Sequence, residues 1–169
     1  SVSIEMALRA SKGRVYAVER NPEAIKLLQD NRKKFKTDNL TIIEGLAPGV
    51  MDKLPPATHI FIGGSAGNMD AIIEAALAKL PQNCEATGEK DTSDFVACGK
   101  CKPAMIRFVI NCIAMESTAQ ALACAKKYGR EEPEVKQISV ARGHAAGSYT
   151  MMKSENPITI ICFDAEACL

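Results

Sequence analysis

Apolar positions along this chain switch between two spacings. Short runs rich in β-branched residues alternate with longer segments whose apolar residues recur every three or four positions. The short runs 14–19 (RVYAVE), 40–44 (LTIIE), 59–62 (HIFI), 106–111 (IRFVIN), 134–142 and 158–163 are predicted strands. Residues 1–8 open as a helix with Ile4, Ala7 and Leu8 in a stripe. Asn21 followed by Pro22 is a strong helix start, and Ile25, Leu28 and Phe35 share a face of the helix that follows. A third helix is predicted to start at an Asn68 cap and to bury Met69, Ile72, Ile73, Ala76, Leu77 and Leu80. An Ala-rich fourth runs over 116–128. Residues 84–105 read as a long polar loop, and 143–157 as a connector between the last two strands.

Alternation of this kind predicts an α/β fold, a mostly parallel sheet with helices on both faces. Two final strands with no helix between them predict a C-terminal hairpin that adds an antiparallel strand. That ending belongs to the methyltransferase version of the doubly wound fold, the Rossmann-like class I arrangement. A doubly wound domain also needs a first strand and a Gly-rich turn ahead of its first helix. Here a helix stands at residue 1, so the strand and turn are expected upstream of the sequence given.

With 169 residues, 47% hydrophobic and 24% charged, the chain has the length and balance of one domain spanning 1–169. The formal net charge of +1 and the 5% aromatic content, with no Trp, argue against a nucleic-acid partner. No apolar run reaches the roughly 18–20 residues of a membrane span. Seven cysteines, an odd number set mostly in apolar stretches, read as thiols in a reducing cytoplasm.

Candidate chemistry gathers at predicted strand ends. Glu19 closes the first visible strand, where its carboxylate can accept hydrogen bonds from a ribose diol. After the second strand come Glu44-Gly45-Leu46-Ala47, whose backbone N–H groups can read an adenine ring while Leu46 or Ala47 covers its face. Gly63-Gly64-Ser65-Ala66-Gly67-Asn68 joins the third strand to its helix. Its glycines permit close ligand approach, and the helix start suits a carboxylate. Cys98-Gly-Lys-Cys101, with Cys84 upstream, could form a zinc knuckle, but a single CxxC reads better as thiols without a metal. His59 and His144 lack any arrangement of nucleophile and base and read as structural or surface residues. The Met151-Met152 pair reads as interface or core packing.

Several of these stretches together resemble one family. Ser-Val-Ser-Ile-Glu at 1–5, VYAVERNPEAI at 15–25, FIGGSAGN at 61–68, Asn111 followed by Glu116, and ARGHAAGSYTMMKSENP at 141–157 are similar to the decarboxylating C15-methyltransferases of cobalamin biosynthesis. That domain occurs alone or as the C-terminal half of a C5,15-methyltransferase. The resemblance spans the chain outside 84–105, where the family has a short Gly-Gly turn. It also departs at Ala114, in place of a Thr, and at His144-Ala145, in place of a basic pair.

The resemblance implies S-adenosylmethionine as cofactor. Ser1, Glu19, Arg20, Gly45, Leu46, Ala47, Gly63 and Gly64 would hold it. Ser65, Asn68, Asn111, Glu116 and Arg142 would meet a tetrapyrrole (precorrin) substrate. It further implies a homotetramer; an activated donor and a conjugated acceptor call for no metal, and composition and hydropathy point to no nucleic-acid or membrane partner. Because the methyl donor is already activated, alignment would matter more than a strong base. Two other readings stay open at this point: a different small-molecule or RNA methyltransferase, and an inactive scaffold that kept the fold.

Overall fold

The computed structural model describes residues 2–80 and 105–166. Ser1, the CxxC with Cys84, and Cys168 therefore lie outside the described residues. The chain divides into two compact units, Ser1–Pro55 and Pro56–Leu169.

In the first unit the order is α1 (Val2–Arg9), β1 (Val15–Glu19), α2 (Pro22–Phe35) and β2 (Leu40–Glu44), followed by a 3-10 turn at Met51–Lys53. β1 and β2 are parallel, with Val15 opposite Leu40 and Glu19 opposite Glu44. Ile4 and Ala7 of α1, Val15 and Ala17 of β1, Leu28 of α2 and Leu40 of β2 make the core. Leu8 and Phe35 do not join it and are exposed. Each helix gives only a narrow stripe to a two-stranded sheet, so residues at the stripe's margin stay outside. α2 starts as its sequence predicts. Asn21 Oδ1 accepts the Glu23 N–H at 2.9 Å, and Pro22 occupies the first turn. Asn39 closes the other end of α1: its Nδ2 lies 2.9 Å from the carbonyl oxygens of both Ala7 and Ala10. These are carbonyls that a helix C-terminus otherwise leaves unpaired.

The second unit contains β3 (His59–Ile62), α3 (Met69–Leu77), β4 (Met105–Cys112), α4 (Met115–Tyr128), β5 (Glu134–Ile138), β6 (Ala141–Ala146), β7 (Tyr149–Ser154) and β8 (Ile158–Glu166). Its main sheet has the order β3-β4-β8-β5. β3 and β4 are parallel, and β8 runs antiparallel to both β4 and β5. Three of the four strands therefore share one direction, and β8 is the antiparallel strand that the helix-free C-terminal pair predicts. On β4, Ile106, Phe108, Ile110 and Cys112 are buried and alternate with more exposed positions. Phe108 stacks on Phe163 of β8 with ring centroids 5.3 Å apart. All six apolar residues that the period assigns to the α3 region, Met69 to Leu80, are buried.

Two boundaries differ from the sequence reading. The run 134–142 is not one strand. It breaks after Ile138, and Ala141 onward pairs with 149–154, so the expected connector is itself a hairpin turning at Gly147, φ 63°. Alternation is weak in this region because almost every residue of β5, β6 and β7 is exposed, which removes the inside-outside signal. Met151 and Met152 are exposed on β7, so the core-packing half of their expectation is corrected.

α3 and α4 are clamped at one place. Lys127 Nζ lies 3.1 Å from Asp70 Oδ2 and 3.2 Å from Glu74 Oε1. The Tyr128 hydroxyl lies 2.9 Å from Asp70 Oδ1 and 2.8 Å from Glu74 Oε1, and its pKa is pushed up to about 12, first by burial. Between β4 and β8, Arg107 and Asp164 face each other in register and form a two-pronged ion pair, at 2.8 Å and 2.6 Å. The guanidinium's hydrogen bonds hold the Asp164 carboxyl below its ordinary value.

A depressed carboxyl pKa stabilises the fold above the unfolded value, about 3.9, and that gain is lost as pH falls through the lower folded value. Asp164→Asn is expected to cost about 1 kcal/mol or less at neutral pH, because the pair is partly exposed. The difference from the parent should shrink steadily below about pH 4. Urea denaturation across the acid range is the check, and a gap that stays constant or grows as pH falls would contradict it.

Candidate active site

Chemistry-bearing residues in each unit collect at the carboxyl ends of parallel strands, where open α/β sheets bind ligands. In the first unit Glu19 ends β1. Its Oε1 accepts the backbone N–H groups of Arg20 at 2.8 Å and Asn21 at 2.9 Å. The turn thus fixes the carboxylate, while Oε2 has no hydrogen-bond partner among the described residues. Sequence reasoning placed both oxygens on a diol. The structure assigns one of them to the turn and leaves the other, with two lone pairs, facing outward demand. Arg20 is exposed beside it.

Abreast of Glu19 at the end of β2 stands Glu44, a second carboxylate at the same strand level. Gly45 follows, and its N–H donates to the Glu19 carbonyl oxygen at 2.9 Å, which carries the two-strand pairing one residue further. Gly45 has φ 150°, and a Cβ there would stand 2.3 Å from Val50 Cγ1. A side chain is excluded at this turn by the chain's own return. Leu46 is exposed and Ala47 half-buried just beyond it.

In the second unit, two successive strand-to-helix turns enclose a cleft of about 190 Å3. Gly63, Gly64 and Ser65 after β3 form one wall, with Met69 at the start of α3. Asn111 at the end of β4, then Ile113, Ala114 and Ser117 at the start of α4, form the other. The cleft brings together four residues singled out from sequence: Gly63, Gly64, Ser65 and Asn111. Asn68 is at the α3 N-cap position, but its side chain makes no capping hydrogen bond, so the expected Asn cap is corrected. The Asn68 N–H instead closes a turn onto the Ser65 carbonyl at 2.8 Å. Asn68, Glu116 and Arg142 do not line the cleft. Arg142 lies on β6, 3.3 Å from Glu155, and Glu116 is exposed in the first turn of α4.

Sequence reasoning missed Met69, Ile113 and Ser117 as wall residues. The available signal was position, since each stands within a few residues of a strand's carboxyl end. No charged side chain lines the cleft among the described residues. Both helices that start beside it lack a side-chain cap, at Asn68 and at Ala114. Their first N–H groups thus give this uncharged site a mildly positive rim.

The turn 65–68 is strained. Ala66 has φ 48° and Gly67 φ 86°, the signs of a type I′ turn, which favours Gly or Asn at both positions. Gln120 Nε2 of α4 holds it by donating to the Gly67 carbonyl oxygen at 3.1 Å. Ala66→Gly is expected to stabilise the protein by about 1 kcal/mol, because Ala pays a steric cost in the left-handed region. That corresponds to a rise of about 2–4 °C in the thermal midpoint. A fall in the midpoint would contradict the assigned strain.

Comparison with known proteins agrees with this layout. Residues 1–88 match the family model of the precorrin methyltransferase domain. A Pyrobaculum calidifontis protein named "Probable cobalt-precorrin-6B C(15)-methyltransferase (decarboxylating)" is 34% identical over 95% of this chain and 71% of its own length. The Salmonella typhimurium cobalt-precorrin-6B C(15)-methyltransferase (decarboxylating) is 30% identical over 98% of this chain and 74% of its own. Among solved structures, the precorrin-6y C5,15-methyltransferase of Geobacter metallireducens superposes with a TM-score of 0.72 at 30% identity, covering 98% of this chain and 74% of that one. With this kinship running nearly end to end, the chain belongs to the precorrin methyltransferase family.

Proposed function

We propose that this methyltransferase transfers a methyl group from S-adenosylmethionine to C15 of a corrin precursor and releases the carboxyl of the C12 acetate as CO2. The observation that carries the cofactor half is the Glu19 carboxylate, fixed at the strand end through one oxygen and without a hydrogen-bond partner among the described residues at the other. The turn at Gly45, where the missing side chain makes room for Val50, sets exposed Leu46 beside the end of β2, where the adenine is proposed to lie. The substrate half is supported by the names of the relatives and by the uncharged cleft at the ends of β3 and β4.

When bound, S-adenosylmethionine supplies a methyl group on a sulfonium, so the electrophile needs no activation by the protein. The work left to this chain is positioning. Glu19 holds the ribose, with Arg20 beside it, and Gly45, Leu46 and Ala47 flank the adenine. Ser1 belongs to the same cofactor set in this proposal. Gly63 and Gly64 let the backbone approach closely. Ser65 and Asn111 orient the tetrapyrrole edge, and Asn68, Glu116 and Arg142 serve its polar periphery. Holding the nucleophilic carbon in line with the methyl can lower the barrier by several kcal/mol, up to about 7–11 in the best cases. Decarboxylation breaks the bond between the acetate methylene and its carboxylate. The electron pair passes into the conjugated macrocycle, CO2 leaves, and the methylene takes a proton to become a methyl group.

The assembly proposed for this domain is a homotetramer, with 1–169 acting as one working domain. Val135 and Ile138 on the exposed strand β5, with Tyr149, Met151 and Met152 on the β6–β7 hairpin, are large apolar side chains open to solvent. Exposed apolar side chains on strands such as these fit contact with further copies of the chain. No described helix is long and apolar enough to cross a membrane. A cytoplasmic setting is part of the same proposal.

Glu19→Gln tests the ribose contact cleanly. The amide oxygen still accepts the Arg20 and Asn21 N–H groups, but the second position becomes a donor. S-adenosylmethionine affinity is expected to fall by about 1–3 kcal/mol with the thermal midpoint unchanged. Isothermal titration that gives the parent's dissociation constant would remove Glu19 from the site. Light scattering checks the assembly: a mass of four chains is expected, and a monomer at high concentration would refute it.

A further inference from the structure

We infer that Ile113 and Met115, on the β4–α4 turn, form an apolar shelf for the flat face of the tetrapyrrole, an inference that rests on the substrate reading above. β4 buries alternate side chains down to Cys112, and the next residue, Ile113, stands open to solvent. Ile113 is 63% exposed and Met115 85%, the latter the most exposed large hydrophobic side chain among the described residues. Ala114 between them has only a methyl group, and it is the N-cap of α4 without a capping bond. A polar capping residue would be the ordinary occupant of that position. Three apolar residues therefore stand in a row at a solvent-facing helix start, where local stability favours Ser, Thr, Asp or Asn.

Their position supplies the reason. Ile113 lines the cleft itself, and Met115 stands two residues further on, at the first position of α4. At about 190 Å3 the cleft falls below the roughly 300–1,000 Å3 that encloses a drug-sized ligand. A tetrapyrrole is larger still. Only one edge of the ring can enter, beside Asn111 and Ser65, and the rest must lie over the rim. The wall chemistry selects which part of the ring lies there. With no charged side chain lining the cleft among the described residues, a ring carboxylate pressed against the Ile113 side chain would exchange water for an apolar contact, and the donors open to it are the uncapped helix N–H groups at the rim. The uncharged conjugated face loses nothing by the same contact and removes two exposed apolar side chains from water. The carboxylates are thereby turned toward the periphery, and the bridge carbon toward the cleft. Ile113 and Met115 act as positioning residues that set substrate affinity and orientation.

The test uses Ile113→Ser and Met115→Ser, singly and together, in the full-length protein, with cobalt-precorrin-6B as the tetrapyrrole. Absorbance titration gives its dissociation constant, turnover gives KM and kcat, and calorimetry gives S-adenosylmethionine affinity. Each serine variant is expected to raise the tetrapyrrole dissociation constant and KM about tenfold. The thermal midpoint should stay at the parent value, since both side chains are exposed, and cofactor affinity should change far less than tetrapyrrole affinity. Ile113→Leu and Met115→Leu should restore binding. A double serine variant that binds the tetrapyrrole as tightly as the parent overturns the shelf and leaves the proposed function standing. Equal weakening of cofactor binding overturns it too, because the segment would then serve the other ligand. A parent protein that neither binds nor methylates the tetrapyrrole defeats the functional reading and this inference with it.

Discussion

The packing of β4 between β3 and β8 is the constraint from which the substrate side of this molecule follows. Ile106, Phe108 and Ile110 are wholly buried along one face of that strand, and Phe108 is stacked on Phe163. The Arg107–Asp164 pair marks the same register on the other face. Because side chains alternate with a period of two, a slip of one residue would expose the whole apolar set. The register is therefore strongly held, and it delivers Asn111 and Ile113 to the cleft as a consequence. The α3–α4 clamp of Asp70, Glu74, Lys127 and Tyr128 performs the matching task for the two helices that begin at the cleft.

On the cofactor side the organising device is smaller. One carboxylate oxygen is used to build the turn after β1, and the other is left for a ligand. A single side chain thus links local backbone structure to recognition. Pinning the group in advance lowers the entropy that a ligand must pay to order it. The excluded Cβ at Gly45 works by the same economy, since the surface is set before any ligand arrives.

The two sites differ in what they ask of the surrounding protein. The Glu19 carboxylate is fixed by N–H groups one and two residues away, and Gly45 by Val50 and by the Glu19 carbonyl across the two-strand pair. The cleft depends on residues from four elements, on a turn that keeps Ala66 in a left-handed conformation, and on the Gln120 bond that holds that turn. Backbone strain of this kind persists where the neighbouring structure over-determines it.

By itself the sequence determined what depends on short-range chemistry. The strands at 40–44 and 59–62, the Asn21-Pro22 helix start, the α3 apolar set, and the clustering of Glu19, Gly45 and Gly63 to Ser65 at strand ends were all legible, because each follows from periodicity, capping or glycine geometry within about ten residues. The antiparallel C-terminal strand was legible from the absence of an intervening helix. Tertiary structure alone decided the rest. It placed β8 between β4 and β5, broke 134–142 into two strands, and turned the expected connector into a hairpin, since exposed strands carry no inside-outside pattern to read. It left the Asn68 side chain without its capping bond and kept Asn68, Glu116 and Arg142 off the cleft wall. It also exposed Ile113 and Met115, which an apolar letter in a sequence would assign to the core. Hydrophobicity tells how much a side chain gains from leaving water, and only the packing of the other elements tells whether a partner is there to receive it.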